Sequence, residues 1–261
     1  MSRSLVRMLR EERLLRGTWA QIRAPEVVDM IGAAGFDFAV IDCEHGAFGI
    51  ETAETLIRAC DAAGLAPAVR VSRLDRVEIM KALDAGAGAV VVPNVESAEQ
   101  AAEAVAATRF APDGLRGACP CCRSGGHYIR DWEGYRARQH TETGAIALVE
   151  TAAGAAAFGD IVAVPGLAAL MLGPFDLAVS MGLGGNWRDA AVQAELERMT
   201  GLARAAEVPV ILPVFAPTPE DNRALTAEWK ARGVNAFCIG ADKIILCDAL
   251  ARWAEAAAKS G

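Results

Sequence analysis

Short apolar runs recur along the chain, and between most of them the hydrophobic spacing changes to that of a helix. The runs are Gly17–Gln21, Phe36–Asp42, Ala66–Val71, Ala89–Pro93, Ala145–Glu150, Ala168–Gly173, Val208–Val214 and Ala236–Gly240. Most are continuously apolar, the pattern of strands covered on both faces. Helical spacing is predicted over Pro25–Ala34, Ile50–Ala63, Arg76–Ala85, Ser97–Ala106, Ala190–Ala206, Pro219–Arg232 and Asp242–Ala257. Gly64, Gly86, Pro93, Pro165, Gly173, Pro209 and Gly233 punctuate the joints. Alternating strands and helices imply a parallel sheet, and eight repeats imply closure into a (β/α)8 TIM barrel. An open doubly wound sheet is the alternative that pattern alone leaves.

One stretch breaks the spacing. Arg109–Gly144 carries Gly114, Gly117, Gly125 and Gly126, then polar residues from Arg130 to His140. A loop of this length is usually functional. It is expected over the barrel mouth, with a short helix near Asp131–Arg138. The N-terminal Met1–Arg16, with five arginines and two glutamates, reads as an amphipathic surface helix.

Composition narrows the class. A length of 261 residues fits one barrel domain over 1–261, since a TIM barrel needs ~250. With 53% hydrophobic and 23% charged residues, a packed core is expected rather than disorder. The net charge of −7 argues against nucleic acid or an anionic membrane as partner. No apolar run approaches the ~20 residues of a membrane span, and no signal-peptide stretch opens the chain. A cytoplasmic location is expected. Seven cysteines do not suggest a secreted disulfide framework.

Candidate chemistry lies at the ends of the predicted strands, which share one face in a parallel barrel. Asp42 and His45 follow the second strand, Arg70 ends the third, Glu150 the fifth, and Asp176 follows the sixth. Glu150 and Asp176 together suit one oxygen-loving divalent cation, because Mg²⁺ is held by one or two carboxylates with substrate and water filling the rest. The plainer readings are a rim salt bridge for Glu150 and a helix N-cap for Asp176. His45 has a proton carrier's chemistry near neutral pH, against a merely structural histidine. Arg70 suits a carboxylate or enolate oxygen, against simple pairing with Asp42 or Glu44. Cys119-Pro120-Cys121-Cys122 resembles a metal motif, but a zinc site needs a second pair or a well-spaced histidine, and only His127 is near. Free thiols are the preferred reading. Schiff-base chemistry needs a lysine inside a strand, and none of Lys81, Lys230, Lys243 and Lys259 is predicted there.

These residues, with Phe36–His45, Lys81–Ala87, Gly114-Leu115-Arg116-Gly117, Val149-Glu150-Thr151 and Gly173-Pro174-Phe175-Asp176-Leu177, resemble the HpcH/HpaI aldolase family of metal-dependent class II pyruvate aldolases. The resemblance runs from about residue 15 to 245. It implies cleavage of 2-keto-4-hydroxy acids to pyruvate and an aldehyde. Glu150 and Asp176 would bind Mg²⁺ or Mn²⁺, with Co²⁺ in some relatives. Arg70 would hydrogen-bond the keto oxygen, and His45, oriented by Asp84, would be the acid/base. Asp42 would lie near the site, and backbone N–H groups around Gly173, Pro174, Phe175 and Asp176 would hold the carboxylate. The resemblance also implies a trimer or hexamer with the last helix exchanged between neighbours. Leu148 stands where many relatives carry Gln. The aldehyde stays open among succinic semialdehyde, tartronate semialdehyde, lactaldehyde and glycolaldehyde, with Arg123 and His127 as residues that could decide it. A CoA-ester lyase of the citrate lyase beta or malyl-CoA type is the rival, disfavoured by the lack of a basic patch for its phosphates.

Overall fold

In the computed structural model, which describes residues 3–11 and 13–258, eight parallel strands close into a barrel in sequence order. The strands are β1 Leu15–Ala20, β2 Phe38–Asp42, β3 Ala66–Arg70, β4 Ala89–Val92, β5 Ala145–Val149, β6 Ala169–Leu172, β7 Val210–Val214 and β8 Ala236–Ala241. β1 pairs with both β2 and β8, which closes the ring and excludes the open sheet. Each predicted run holds one strand, with ends shifted by one or two residues.

Twelve helices accompany the strands among the described residues. They are α1 Leu5–Met8, α2 Pro25–Ala33, α3 Ile50–Ala63, α4 Arg76–Asp84, α5 Ala98–Thr108 and α6 Trp132–Glu142, then α7 Ala152–Ala156, α8 Phe158–Val162, α9 Pro174–Ser180, α10 Ala190–Ala205, α11 Pro219–Ala231 and α12 Asp242–Ala258. Side-chain caps start several of them: Asp75 accepts from Val77 and Glu78, Asp131 from Gly134, and Thr218 from Asp221. α7, α8 and α9 were not predicted, because five to seven residues are too few to display a helical repeat.

Side chains alternate across each strand, which gives two cores. Outward residues such as Ala39, Ile41 and Val69 pack under the helices. Inward residues fill the barrel: Phe38 and Val40 on β2, Ala66 and Ala68 on β3, Ile146 and Leu148 on β5. Continuing these inward series by two residues reaches Asp42, Arg70 and Glu150. The alternation that fills the barrel therefore aims the candidate groups into its mouth. Small residues make room below: a Cβ at Gly17 would lie 2.2 Å from the Phe38 ring, so β1 and β2 admit only glycine there without repacking.

Two expectations fail. The N-terminal segment is not a surface helix over Met1–Arg16. α1 spans four residues, Leu5, Val6 and Met8 are buried in the inner core, and β1 begins at Leu15. The apolar residues plug the N-terminal end of the barrel; Met1, Ser2 and Glu12 lie outside the described residues. The Arg109–Gly144 stretch does not cover the mouth either. It joins α5 to β5, so it lies at the N-terminal ends of the strands. Arg123 there bonds the Ala85 carbonyl at 2.8 Å and pairs with Asp61, and Arg116 bonds Gln139 of α6 at 2.9 Å.

Among the described residues, no helix is long and apolar enough to cross a membrane. α12 leaves the barrel with only Asp242 buried. Ile244, Ile245, Leu246 and Leu250 are exposed, and Trp253 is 79% exposed. Asp242 accepts from the Gln21 and Ile22 amides at 2.9 and 2.8 Å, tying the helix start to the end of β1.

Candidate active site

A cavity of about 510 Å³ opens at the C-terminal ends of the strands, and His45, Arg70, Glu150, Gly173, Pro174, Phe175 and Asp176 all line it. Asp42 lies directly beside Arg70. Of the nine site residues predicted, only Asp84 is elsewhere.

Asp42 and Arg70 are register partners on adjacent strands. Arg70 Nε and Nη2 donate to the two Asp42 oxygens at 2.8 and 2.6 Å, and Nη1 lies 3.0 Å from Glu44. The pairing held open for Arg70 is thus made with both acids. Its guanidinium also sits 4.4 Å from the Trp19 ring centre. Two of its five N–H donors are hydrogen-bonded, both to Asp42; Nη1 faces Glu44 as an ion pair without a hydrogen bond, and N–H donors remain for a ligand. Asp42 is fully buried and also accepts from the Gln21 side chain at 2.7 Å and the Glu44 and His45 amides at 3.1 and 3.2 Å. Burial opposes its charge, but the hydrogen bonds and charge of Arg70 outweigh burial and hold its carboxyl below the ordinary range. Asp42 is therefore a clamp that sets the Arg70 plane and the His45 backbone.

Glu150 is 5% exposed and makes no ion pair among the described residues; its one hydrogen bond accepts the Asn94 amide at 3.0 Å. The rim salt bridge weighed for it is not formed. Asn94 takes a left-handed conformation, φ 53°, which aims that amide. Burial, with the negative charges of Asp176 and Glu44, pushes the Glu150 carboxyl up to about 7 against the pull of the Asn94 hydrogen bond. A Cβ on Gly173 would lie 2.5 Å from the Glu150 Cβ, so glycine permits this packing. Asp176 is exposed at the third position of α9 and has no side-chain hydrogen bond among the described residues; Gly173, not Asp176, is the N-cap.

Two carboxylates on the mouth, one buried and unpaired and one free, fit a hard divalent cation. Among the described residues, no group of three or more His, Cys, Asp or Glu could hold an ion unaided. The fit is therefore the open kind, in which substrate and water complete the coordination shell.

His45 is exposed, and its ring makes no hydrogen bond among the described residues. Within one chain Asp84 does not reach it. Asp84 ends α4 at the opposite face of the barrel and bonds Arg116 at 2.7 Å. The backbone cradle also narrows: the Gly173 amide donates to Val149 at 3.0 Å and Pro174 has no N–H. Only the amides of Phe175 and Asp176, in the first turn of α9, stay free of helix bonds.

Arg123 and His127 line a separate cavity at the far end of the barrel. All seven cysteines are free thiols, and none of Cys119, Cys121 and Cys122 reaches the mouth. Gln21 and Asn94 were missed by sequence reasoning. Each follows closely on a strand, and that position was the available signal.

The fold and site define a TIM-barrel enzyme with an acidic mouth suited to a metal. The chain belongs to the HpcH/HpaI aldolase/citrate lyase family, whose pattern it matches over residues 16–242. It is 34% identical over 213 residues to the 2-dehydro-3,6-dideoxy-6-sulfogluconate aldolase of Pseudomonas putida, covering 82% of each chain. It is 31% identical over 248 residues to the hydroxypyruvate/pyruvate aldolase of Roseovarius nubinhibens, covering 92% of each. The solved structure of citrate synthase SbnG superposes with a TM-score of 0.88 at 30% identity, covering 99% of this chain and 98% of that one.

Proposed function

We propose that the protein is a divalent-metal-dependent aldolase that reversibly cleaves 2-keto-4-hydroxy acids to pyruvate and an aldehyde. The relatives named as aldolases, similar over most of the chain, support aldehyde-lyase chemistry. The observation that carries the reading is Glu150, a buried carboxylate without an ion pair among the described residues, beside the free carboxylate of Asp176.

In cleavage, His45 acting through water takes the C4 hydroxyl proton. The C3–C4 bond breaks, its electron pair passes into the pyruvate enolate, and the aldehyde departs. The enolate then takes a proton at C3. The remaining N–H donors of Arg70 stabilise the enolate oxygen, where charge develops. The Phe175 and Asp176 amides hold the carboxylate, since a helix start favours an anion. Glu150 and Asp176 would hold Mg²⁺, Mn²⁺ or Co²⁺, which supplies Lewis-acid stabilisation of the same charge.

The test is deuterium exchange at the pyruvate methyl group in D₂O, followed by NMR. Exchange is expected with added Mn²⁺ or Mg²⁺, none with EDTA, and a large loss in Glu150→Ala and His45→Ala. Folded protein that exchanges nothing with any metal refutes the proposal. It would favour the rival acyl-CoA reading, which the likeness to a citrate synthase keeps in view. Against that rival, Arg70 is the only lysine or arginine lining the cavity among the described residues.

The exposed apolar residues of α12 support assembly into a trimer or hexamer that covers them. Sedimentation of the full chain should give a trimeric or hexameric mass, and removal of residues 243–258 should lower it. A monomeric full chain overturns this assembly.

A further inference from the structure

The cavity has two chemically different halves. Asp42, His45, Arg70, Glu150 and Asp176 stand over β2, β3, β5 and β6. The other half, over β7 and β8 and closed by the segment that follows β6, is walled by Phe175, Trp187, Pro213, Phe215 and Ile244. Among the described residues, no charged side chain lines this apolar half. Trp19 marks the border between the halves: its ring lies under the Arg70 guanidinium and its indole N–H is shut off from solvent, while the neighbouring Gln21 side chain is taken up by Asp42. Arg70, the single cationic side chain lining the cavity among the described residues, is already gripped by Asp42 and Glu44, and its free donors belong to the enolate end.

From this division we infer that the aldehyde partner is uncharged and apolar, seated against Trp187 and Phe215. The inference rests on the aldolase reading and names its acceptor class. It departs from the polar semialdehydes that the family resemblance implies. Two physical points carry it. An acceptor carboxylate placed in the apolar half would be desolvated without a partner. A cavity of about 510 Å³ leaves ample room beside a three-carbon keto acid for an alkyl or aryl chain to be buried. In the addition direction, the enolate C3 attacks the aldehyde carbon, one C–C bond forms, and the aldehyde oxygen takes a proton; the apolar chain remains a spectator held by the wall.

The experiment uses the Mn²⁺-loaded protein with pyruvate and two isosteric acceptors, 4-methylpentanal and succinic semialdehyde, alongside the series from propanal to hexanal. The expected kcat/KM favours 4-methylpentanal at least tenfold. Along the series it should rise about threefold to fourfold per methylene, the ratio that burying one CH₂ gives. Trp187→Ala and Phe215→Ala should each reduce that rise. Both readouts are ratios between acceptors on one preparation, so a partly unfolded variant does not distort them. Equal or better use of succinic semialdehyde, or a flat series, overturns the inference while pyruvate methyl exchange keeps the aldolase reading intact. If metal-dependent exchange is itself absent, the aldolase reading fails and the inference falls with it.

Discussion

Glu150→Gln should lower metal-dependent exchange of the pyruvate methyl by roughly a thousandfold or more, and should make the metal-free protein more stable at pH 8. Loss of a group that stabilises charge in the transition state typically removes about 10²–10³ in rate, and losing a metal ligand removes the cation's share too. The stability gain comes from burial. Glu150 is pushed from an ordinary 4.5 up to about 7, first by desolvation and then by Asp176 and Glu44. Between those values the folded chain keeps a proton that the unfolded chain has released. That contribution to stability is complete below 4.5 and is lost as pH rises through about 7. At pH 8 the metal-free wild type therefore holds an uncompensated buried charge, costing about 3–4 kcal/mol at ~1.4 kcal/mol per pKa unit. Gln keeps the shape and can still accept the Asn94 amide, but carries no charge. In EDTA, the variant should melt about 10 °C above the wild type at pH 8 and at nearly the same temperature at pH 5. Parallel pH profiles would show that Glu150 does not titrate in the folded chain, and retained exchange would remove it from the chemistry.

What could be read ahead of the structure follows from what a chain pattern encodes. Continuous apolar runs separated by helical spacing define a parallel sheet, and in a barrel the inward series Phe38, Val40, Asp42 and Ile146, Leu148, Glu150 lead from core to mouth. Those residues were legible because a charge at the end of a buried run stands out. Gln21 and Asn94 are neutral and stand out less, although they occupy comparable positions. Asn94 acts through its backbone amide, which no side-chain pattern reveals. The placing of Arg109–Gly144 failed for a different reason: length signals that a loop matters but not where it lies. Connectivity carries that information, since a segment leading from a helix into a strand must lie at the strand's N-terminal end. The same rule removes Asp84 from the mouth, because the last residue of α4 precedes β4.

Arg70→Met should abolish exchange and cost about 3–5 kcal/mol of stability at pH 7, the usual result of stripping one partner from a buried ion pair. Asp42 is fully buried, so losing the two bonds from Arg70 leaves its charge with only neutral donors. In the wild type its depressed carboxyl contributes stability that is present above the ordinary value of 3.8 and lost as pH falls through its lower folded value. Without Arg70, burial dominates and reverses the shift. The stability gap between wild type and variant should then be widest near neutrality and narrow toward acid. A double variant, Asp42→Asn with Arg70→Met, separates scaffold from chemistry. The carboxamide introduced by Asp42→Asn is neutral, and its carbonyl oxygen can still accept the Glu44 and His45 amides, so most of the lost stability should return. Exchange should not return, because the Arg70 N–H donors that serve the enolate are still missing. If exchange recovered along with stability in the double variant, Arg70 would be a structural residue only, and the enolate oxygen would have to find its stabilisation elsewhere in the mouth.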